Sequence, residues 1–310
     1  MAIQTVTIVG GGLMGCGIAQ VFAACPDFTV CIQDTFVSEA DMTARIRGNL
    51  DMLVGRGVLP AKDAEAMLAR IHPTASLAEA VVAADLVVEC IPENMALKQA
   101  LFAQLETLCP PHTRFATNTS VMSITEIGAT MKDRSRLVGT HFWNPPYLIP
   151  LVEVVRSSYT ADEVVEDVMW ALECAGKHPI RVNKDVPGFV ANRLQHALWR
   201  EAISIVEHGI ADAQTVDEAV RLSFGLRLPV LAPLENADMV GNDLALSIHT
   251  YLLPFLENGS EPSPLLAQHV AEGKLGFKSG EGFFRWTPEG MEQSRRKLTD
   301  HLIRMLYGKD

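Results

Sequence analysis

No two cysteines of this 310-residue chain are spaced C-x-x-C, and its six thiols (Cys16, Cys25, Cys31, Cys90, Cys109 and Cys174) form no metal-type cluster with histidine. A cysteine-held metal and a disulfide framework are therefore not expected. Several of the six lie in apolar runs and read as small buried hydrophobes of a reducing compartment. Positive charge is also scarce. With 26 Lys+Arg against 37 Asp+Glu, the formal net charge is -11, which argues against a nucleic-acid surface built on clustered basic residues. An anionic small molecule would need only a local positive site. No apolar run approaches the roughly 20 residues of a membrane span. No signal peptide is expected either, because a strand pattern begins almost at the first residue. Internal repeats and low-complexity tracts are lacking too. What remains is an ordinary globular composition, 48% hydrophobic and 20% charged, expected to be soluble and cytoplasmic. The length suits one large or two moderate domains, each able to bury a core.

The pattern along the first half is strand, helix, strand. Residues 3–9 are a β-branched run ending in glycines, followed by an amphipathic helix through about Ala24. Residues 28–32 form a second strand closing at Asp34, and helical stretches cover about 38–55 and 61–70. Residues 85–91 read as a third strand, 95–108 as a helix, and 113–117 and 137–142 as short strands. Such alternation predicts a mostly parallel sheet wrapped by helices. Beyond Pro187 the character changes: 188–208, 212–224, 240–257 and 264–274 are mainly helical and no strand accompanies them. A boundary near Asp185-Val186-Pro187 therefore separates a domain over 1–185 from a helical one over 186–310.

Gly10, Gly12 and Gly15 spell G-x-G-x-x-G between the first strand and first helix. Glycines there permit a tight turn and let backbone amides, including those of Leu13 and Met14, approach a pyrophosphate at a helix N-terminus. Asp34 ends the second strand about 20 residues on, where a carboxylate accepts hydrogen bonds from ribose hydroxyls. Thr35 and Phe36 follow with no arginine to hold a 2′-phosphate, which favours NAD over NADP. The segment GTHFWNPPYLIPLVEVV, 139–155, sets His141 at the end of one apolar run and Glu153 inside another, joined through Pro145, Pro146 and Pro150. Two short strands meeting at a rigid corner can bring the pair side by side, the general acid/base unit of alcohol oxidation. A core histidine beside a strand-end glutamate would give the same pattern, and the hydride acceptor implied by the glycine turn tips the reading towards catalysis. No metal site is expected.

With GGGLMGCGIAQVFA, VVECIPEN, ATNTSVMSIT, THFWNPP…LVEVV and KDVPGFVANRL in register, nearly the whole chain resembles the 3-hydroxyacyl-CoA dehydrogenase family. The resemblance implies a Rossmann-type doubly wound α/β domain that binds NAD, then an all-helical C-terminal domain forming a homodimer. By the same resemblance His141 is the base for the hydroxyl proton, Glu153 orients it, and Ser120 contacts substrate and nicotinamide. Asn144 and Asn192 match the family's asparagines after the histidine and in PGFVANR. Glu93 and Lys98, in IPENMALK, match nicotinamide-side residues, and Lys278, in GFKSGEGF, a lysine that reaches towards the cofactor. Taken alone, Ser120 and Asn192 could be turn or helix caps and Lys98 a solvated helix face.

Two departures concern the acyl carrier. Coenzyme-A users of the family place a serine and a lysine on the helix after the second strand, where this chain has Asn49 and Arg56, with Arg45 and Arg47 nearby. Arg56 suits a phosphate or a solvated helix face equally. Where acyl-CoA enzymes read GYPMGPFE, this chain reads GLRLPVLAPLEN. That stretch and NPPYLIPLVE are similar to the family's branches acting on free hydroxy acids, such as L-gulonate 3-dehydrogenase (the lambda-crystallin type) and a pyridine-carboxylate alcohol dehydrogenase. Arg227 could pair there with a substrate carboxylate or form a structural salt bridge. The expected reaction is NAD-dependent oxidation of a 3-hydroxyacyl-CoA or related 3-hydroxy acid. The alternatives are a free carboxylate-bearing alcohol and, more remotely, a dinucleotide-binding structural protein without catalysis.

Overall fold

Short β-branched segments alternating with helices build an eight-stranded sheet in a computed structural model, which describes residues 3–308. The strands are β1 (Thr5–Val9), β2 (Thr29–Gln33), β3 (Ile71–Thr74), β4 (Leu86–Glu89), β5 (Arg114–Thr117), β6 (Leu137–Phe142), β7 (Leu151–Val155) and β8 (His178–Val182). Their order is β3-β2-β1-β4-β5-β6-β7-β8. Every neighbouring pair is parallel except β6 and β7. Both β4 and β6 are buried at every position, as strands covered on two faces must be.

The helices of this part are α1 (Leu13–Ala23), α2 (Glu39–Gly55), α3 (Ala61–Ala69), α4 (Leu77–Val81), α5 (Met95–Leu108), α6 (Ile124–Ile127) and α7 (Asp162–Cys174). Ser38 caps α2, Asn94 caps α5 and Ser123 caps α6, each side chain accepting a first-turn N–H that would otherwise lack a partner. One apolar core gathers Phe22, Phe28, Ile46 and Val168, and another gathers Phe102, Phe115, Ile124 and Phe189. The strand order reverses between β1 and β4, which opens a crevice at their carboxyl ends, the usual ligand position in such sheets.

Two strands beyond those read from the sequence complete the sheet. Both β3 (IHPT) and β8 (HPIRV) lie at its edges and contain a proline. Proline interrupts the strand signal yet is tolerated at an edge, where a missing donor costs little. Helix α7, which packs Val164, Val165 and Val168 into the core, was likewise outside that reading.

The chain divides into two compact units, Met1–Arg193 with Leu298–Asp310, and Leu194–Lys297. Helix α8 (Ala191–Glu207) begins at the end of the first. The second contains α9 (Ala213–Leu222), α10 (Phe224–Arg227), α11 (Pro233–Val240), α12 (Asn242–Leu252) and α13 (Pro264–Ala271). Glycine Gly241, at φ +99, breaks the 240–257 segment between α11 and α12. No residue of α9 through α13 is buried in the single chain. Helix α14 (Pro288–Tyr307) ends in the first unit, where Ile303 packs with Leu53 and Leu148. Among the described residues no helix is long and apolar enough to cross a membrane, no group of His, Cys, Asp and Glu could hold a metal, and all six cysteines are free thiols.

Candidate active site

The turn after β1 is shaped by contacts that only glycine allows. At Gly10, with φ +115, a Cβ would lie 2.7 Å from the Cys90 carbonyl oxygen, and at Gly15 one would lie 1.7 Å from the Gly10 oxygen. Gly12 differs: a Cβ there would meet nothing within 4 Å among the described residues, so that side of the turn is open. Gly12 is also the N-cap of α1 and offers no side-chain cap. The first-turn N–H groups, those of Leu13, Met14 and Gly15, thus have no helical acceptor. An open cradle of N–H donors without helical acceptors at a helix N-terminus fits a pyrophosphate.

Asp34 lies beside this turn. Its Oδ2 accepts from Gly11 N at 2.6 Å, and its Oδ1 accepts from Phe36 N and Val37 N at 2.7 and 3.0 Å. Partial burial pushes the carboxyl up, but these three N–H donors and the Arg45 guanidinium outweigh it and hold Asp34 below its ordinary value. Arg45 reaches in from α2 and donates to Gly11 O at 2.7 Å. Reading only the residues after Asp34 overlooks this arginine, because a helix turn brings it back to the glycine loop.

The proline corner does what its spacing suggested. Strands β6 and β7 pair antiparallel with His141 directly opposite Glu153, and His141 Nδ1 donates to Glu153 Oε2 at 2.8 Å. Both side chains are buried. The other carboxylate oxygen, Oε1, accepts from Val190 N at 2.9 Å and Ala191 N at 3.0 Å, at the start of α8. Burial raises Glu153, while His141 and these two amides more than offset it, so its carboxyl sits below the usual range. Trp143 and Phe189 flank the imidazole with ring centroids at 5.4 and 5.8 Å. Neither was singled out from the sequence. Phe189 is buried at φ +50, and the buried indole N–H of Trp143 has no hydrogen-bond partner among the described residues.

Glu93 organises the turn that carries Ser120. It accepts from Thr119 Oγ1 at 2.9 Å and Ser120 N at 2.7 Å. Asn192 donates through Nδ2 to Ser120 O at 3.0 Å, so its amide steadies the serine's backbone rather than capping its own turn. Asn144 is exposed just past the end of β6 and forms a cis bond to Pro145. Lys98 is no solvated helix residue: it is buried, with Nζ 2.6 Å from Glu89 Oε1 and 3.5 Å from Glu93 Oε2. Glu89 itself went unremarked, though a glutamate closing the apolar run of β4 carries the same signal that drew attention to Glu153.

Arg56 pairs with Asp300 of α14 at 2.5 Å, and the buried Nδ2 of Asn49 has no hydrogen-bond partner among the described residues. Arg47 pairs with Glu65 at 2.8 Å. Arg227, on α10, and Lys278 belong to the second compact unit.

Two family models cover the chain almost end to end. The 3-hydroxyacyl-CoA dehydrogenase NAD binding domain matches residues 5–186, and the 3-hydroxyacyl-CoA dehydrogenase C-terminal domain matches 188–286. A probable 3-hydroxybutyryl-CoA dehydrogenase of Bacillus subtilis is 40% identical over 286 residues, 92% of this chain and 98% of that protein. A 5-formyl-3-hydroxy-2-methylpyridine 4-carboxylate 5-dehydrogenase of Mesorhizobium japonicum is 33% identical over 314 residues, 99% of this chain and all of its own length. The crystal structure of such a dehydrogenase, described as NAD+ dependent, superposes with a TM-score of 0.88 at 33% identity, covering 99% of this chain and 100% of that one. For an (S)-3-hydroxybutyryl-CoA dehydrogenase of Ralstonia eutropha the TM-score is 0.77 at 34% identity, with 92% and 100% covered. The chain belongs to the 3-hydroxyacyl-CoA dehydrogenase family and is an NAD-dependent oxidoreductase acting on a CH–OH group.

Proposed function

We propose that this protein oxidises the 3-hydroxyl of a 3-hydroxyacyl-CoA or related 3-hydroxy acid to the ketone, with His141 as general base and Glu153 as its orienting carboxylate. The observation that carries this reading is the 2.8 Å bond from His141 Nδ1 to Glu153 Oε2. It commits Nδ1 to the carboxylate and leaves Nε2 to take the hydroxyl proton. Glu153 then stabilises the imidazolium, while its second oxygen stays fixed by two backbone amides. Ser120 and Asn144 are assigned to the oxygen that becomes the ketone, and Asn192 to holding the Ser120 segment. NAD, when bound, supplies the acceptor for the carbinol hydride; Gly10, Gly12, Leu13, Met14, Gly15 and Asp34 would hold its adenosine and pyrophosphate half. Lys278 is assigned to the cofactor and Arg227 to a substrate carboxylate. The exposed apolar side chains of the second unit, among them Val230, Leu234 and Phe255, support a homodimer formed through that domain.

A second reading, a free carboxylate-bearing alcohol without coenzyme A, is favoured by one specific arrangement. Arg56, the cation assigned to the carrier, is already neutralised by Asp300 on α14. That helix starts at Pro288, beyond the last residue matched by the C-terminal family model. The test is NADH formation with 3-hydroxybutyryl-CoA, with free 3-hydroxybutyrate and with a carboxylated aromatic alcohol. Turnover of the CoA ester is expected on the first reading; negligible turnover of every acyl-CoA, with turnover of a free acid, selects the second. NAD-dependent oxidation undiminished in His141→Gln would overturn the mechanism for any substrate.

A further inference from the structure

Acid–base chemistry at His141 makes no use of three charged side chains at the carboxyl ends of the central strands. Glu89 ends β4, Lys98 projects from α5 and Glu93 lies on the loop between. Lys98 Nζ is bound to Glu89 Oε1 at 2.6 Å and to Ile91 O at 3.3 Å, and stands 3.5 Å from Glu93 Oε2. Two further donors hold Glu89: Ile91 N donates to Oε1 at 2.7 Å and Thr117 Oγ1 to Oε2 at 2.6 Å. Lys98 and Glu89 are both buried, so salt screens them weakly.

Strand register says what crosses this cluster. Val9 pairs with Glu89, Glu89 with Thr117, and Thr117 with Gly139, two residues before His141. The pyrophosphate cradle follows β1, and the base sits on β6. A dinucleotide anchored at the cradle and serving a reaction at His141 must pass over the ends of β4 and β5, where the cluster lies.

The sum of charges there is not neutral. Glu89 and Lys98 cancel wherever the proton between them resides, and Glu93 leaves one negative charge. Oxidised nicotinamide carries one positive charge and reduced nicotinamide none. We propose that the Glu89–Lys98–Glu93 cluster sets the charge at the nicotinamide end of the site and thereby shifts binding towards NAD+ relative to NADH. Glu89 is then a positioning residue acting through Lys98: without it the lysine would cancel Glu93 and the shift would vanish. The proposal rests on the cofactor assignment above and adds the choice between its two redox forms.

The test is calorimetric measurement of Kd for NAD+ and for NADH, separately and at fixed ionic strength. In Glu89→Gln the ratio Kd(NAD+)/Kd(NADH) should rise on the order of tenfold, as expected for one unit charge a few ångströms away. For a two-electron couple that is an upward shift of about 30 mV for the bound cofactor. Glu89→Gln/Lys98→Met keeps Glu93 as the one net charge, and its ratio should return to that of the parent protein. Glu93→Gln leaves the buried pair intact and should raise the ratio as Glu89→Gln does, so it carries the test alone if Glu89→Gln does not fold. A purely structural role would weaken both nucleotides alike, and an unchanged ratio in Glu93→Gln and in any folded Glu89→Gln overturns the proposal. Failure of the parent protein to bind either nucleotide would instead sink the cofactor assignment.

Discussion

Glu153 is held from two sides, by an imidazole at one oxygen and by two helix-start amides at the other. That arrangement makes its ionised form part of the folded structure. Replacing His141 with glutamine should lower kcat by about 10²- to 10⁴-fold, the usual yield of a positioned general base, while leaving the Kd for NADH unchanged; stopped-flow kinetics and calorimetry check the two halves. The pH dependence of stability follows from the same carboxylate. The folded-state pKa of Glu153 lies below its ordinary 4.5, and that of Asp34 below its ordinary 3.8. The unfolded chain therefore takes up protons first as pH falls. The stability these groups contribute is complete above their ordinary values and is lost as pH drops through the lowered ones. Thermal melts from pH 7 to pH 3 should show this decline, and Glu153→Gln should flatten part of it.

Single elements place these residues. The glycine turn works because Gly15 lets α1 start against the Gly10 carbonyl, so Gly15→Ala, with its methyl 1.7 Å from that oxygen, must push the turn open. A cost of about 1–3 kcal/mol is expected from the overpacking, with nucleotide affinity lost alongside; melting and NADH titration read both. Helix α14 is tied to the C-terminal end of α2 by the pair of its C-cap Arg56 with Asp300 and by Ile303 packing with Leu53. Ile303→Ala should cost about 2–5 kcal/mol in denaturant unfolding, the range for a buried isoleucine truncation. The glycine turn, α1, α2 and the strands of 137–155 were legible in the sequence because their periodicity is uninterrupted and their special residues sit at fixed offsets. Strands β3 and β8 were not, since prolines break their pattern and edge positions tolerate them.

At the scale of the molecule, the second compact unit is built from helices that bury none of their own residues, with Val230 86% and Leu234 83% exposed. Exposed apolar patches mark interaction surfaces, and the dimer proposed above would cover this one. Sedimentation equilibrium is expected to give twice the 33.8 kDa chain mass, and Leu234→Glu to shift the equilibrium towards the monomer. A monomeric parent protein at micromolar concentration would overturn the dimer.

Local spacing determined the dinucleotide turn and the meeting of His141 with Glu153, because G-x-G-x-x-G, the acid after β2 and two short strands about a proline corner are short-range patterns. Tertiary structure alone decided which charges meet. Lys98 finds Glu89 under the sheet ends, Arg45 returns to the glycine loop, and Arg56 is matched by Asp300 from the far end of the chain. Ion pairs are set by distance in space and by burial, and neither is written into the order of residues along the chain.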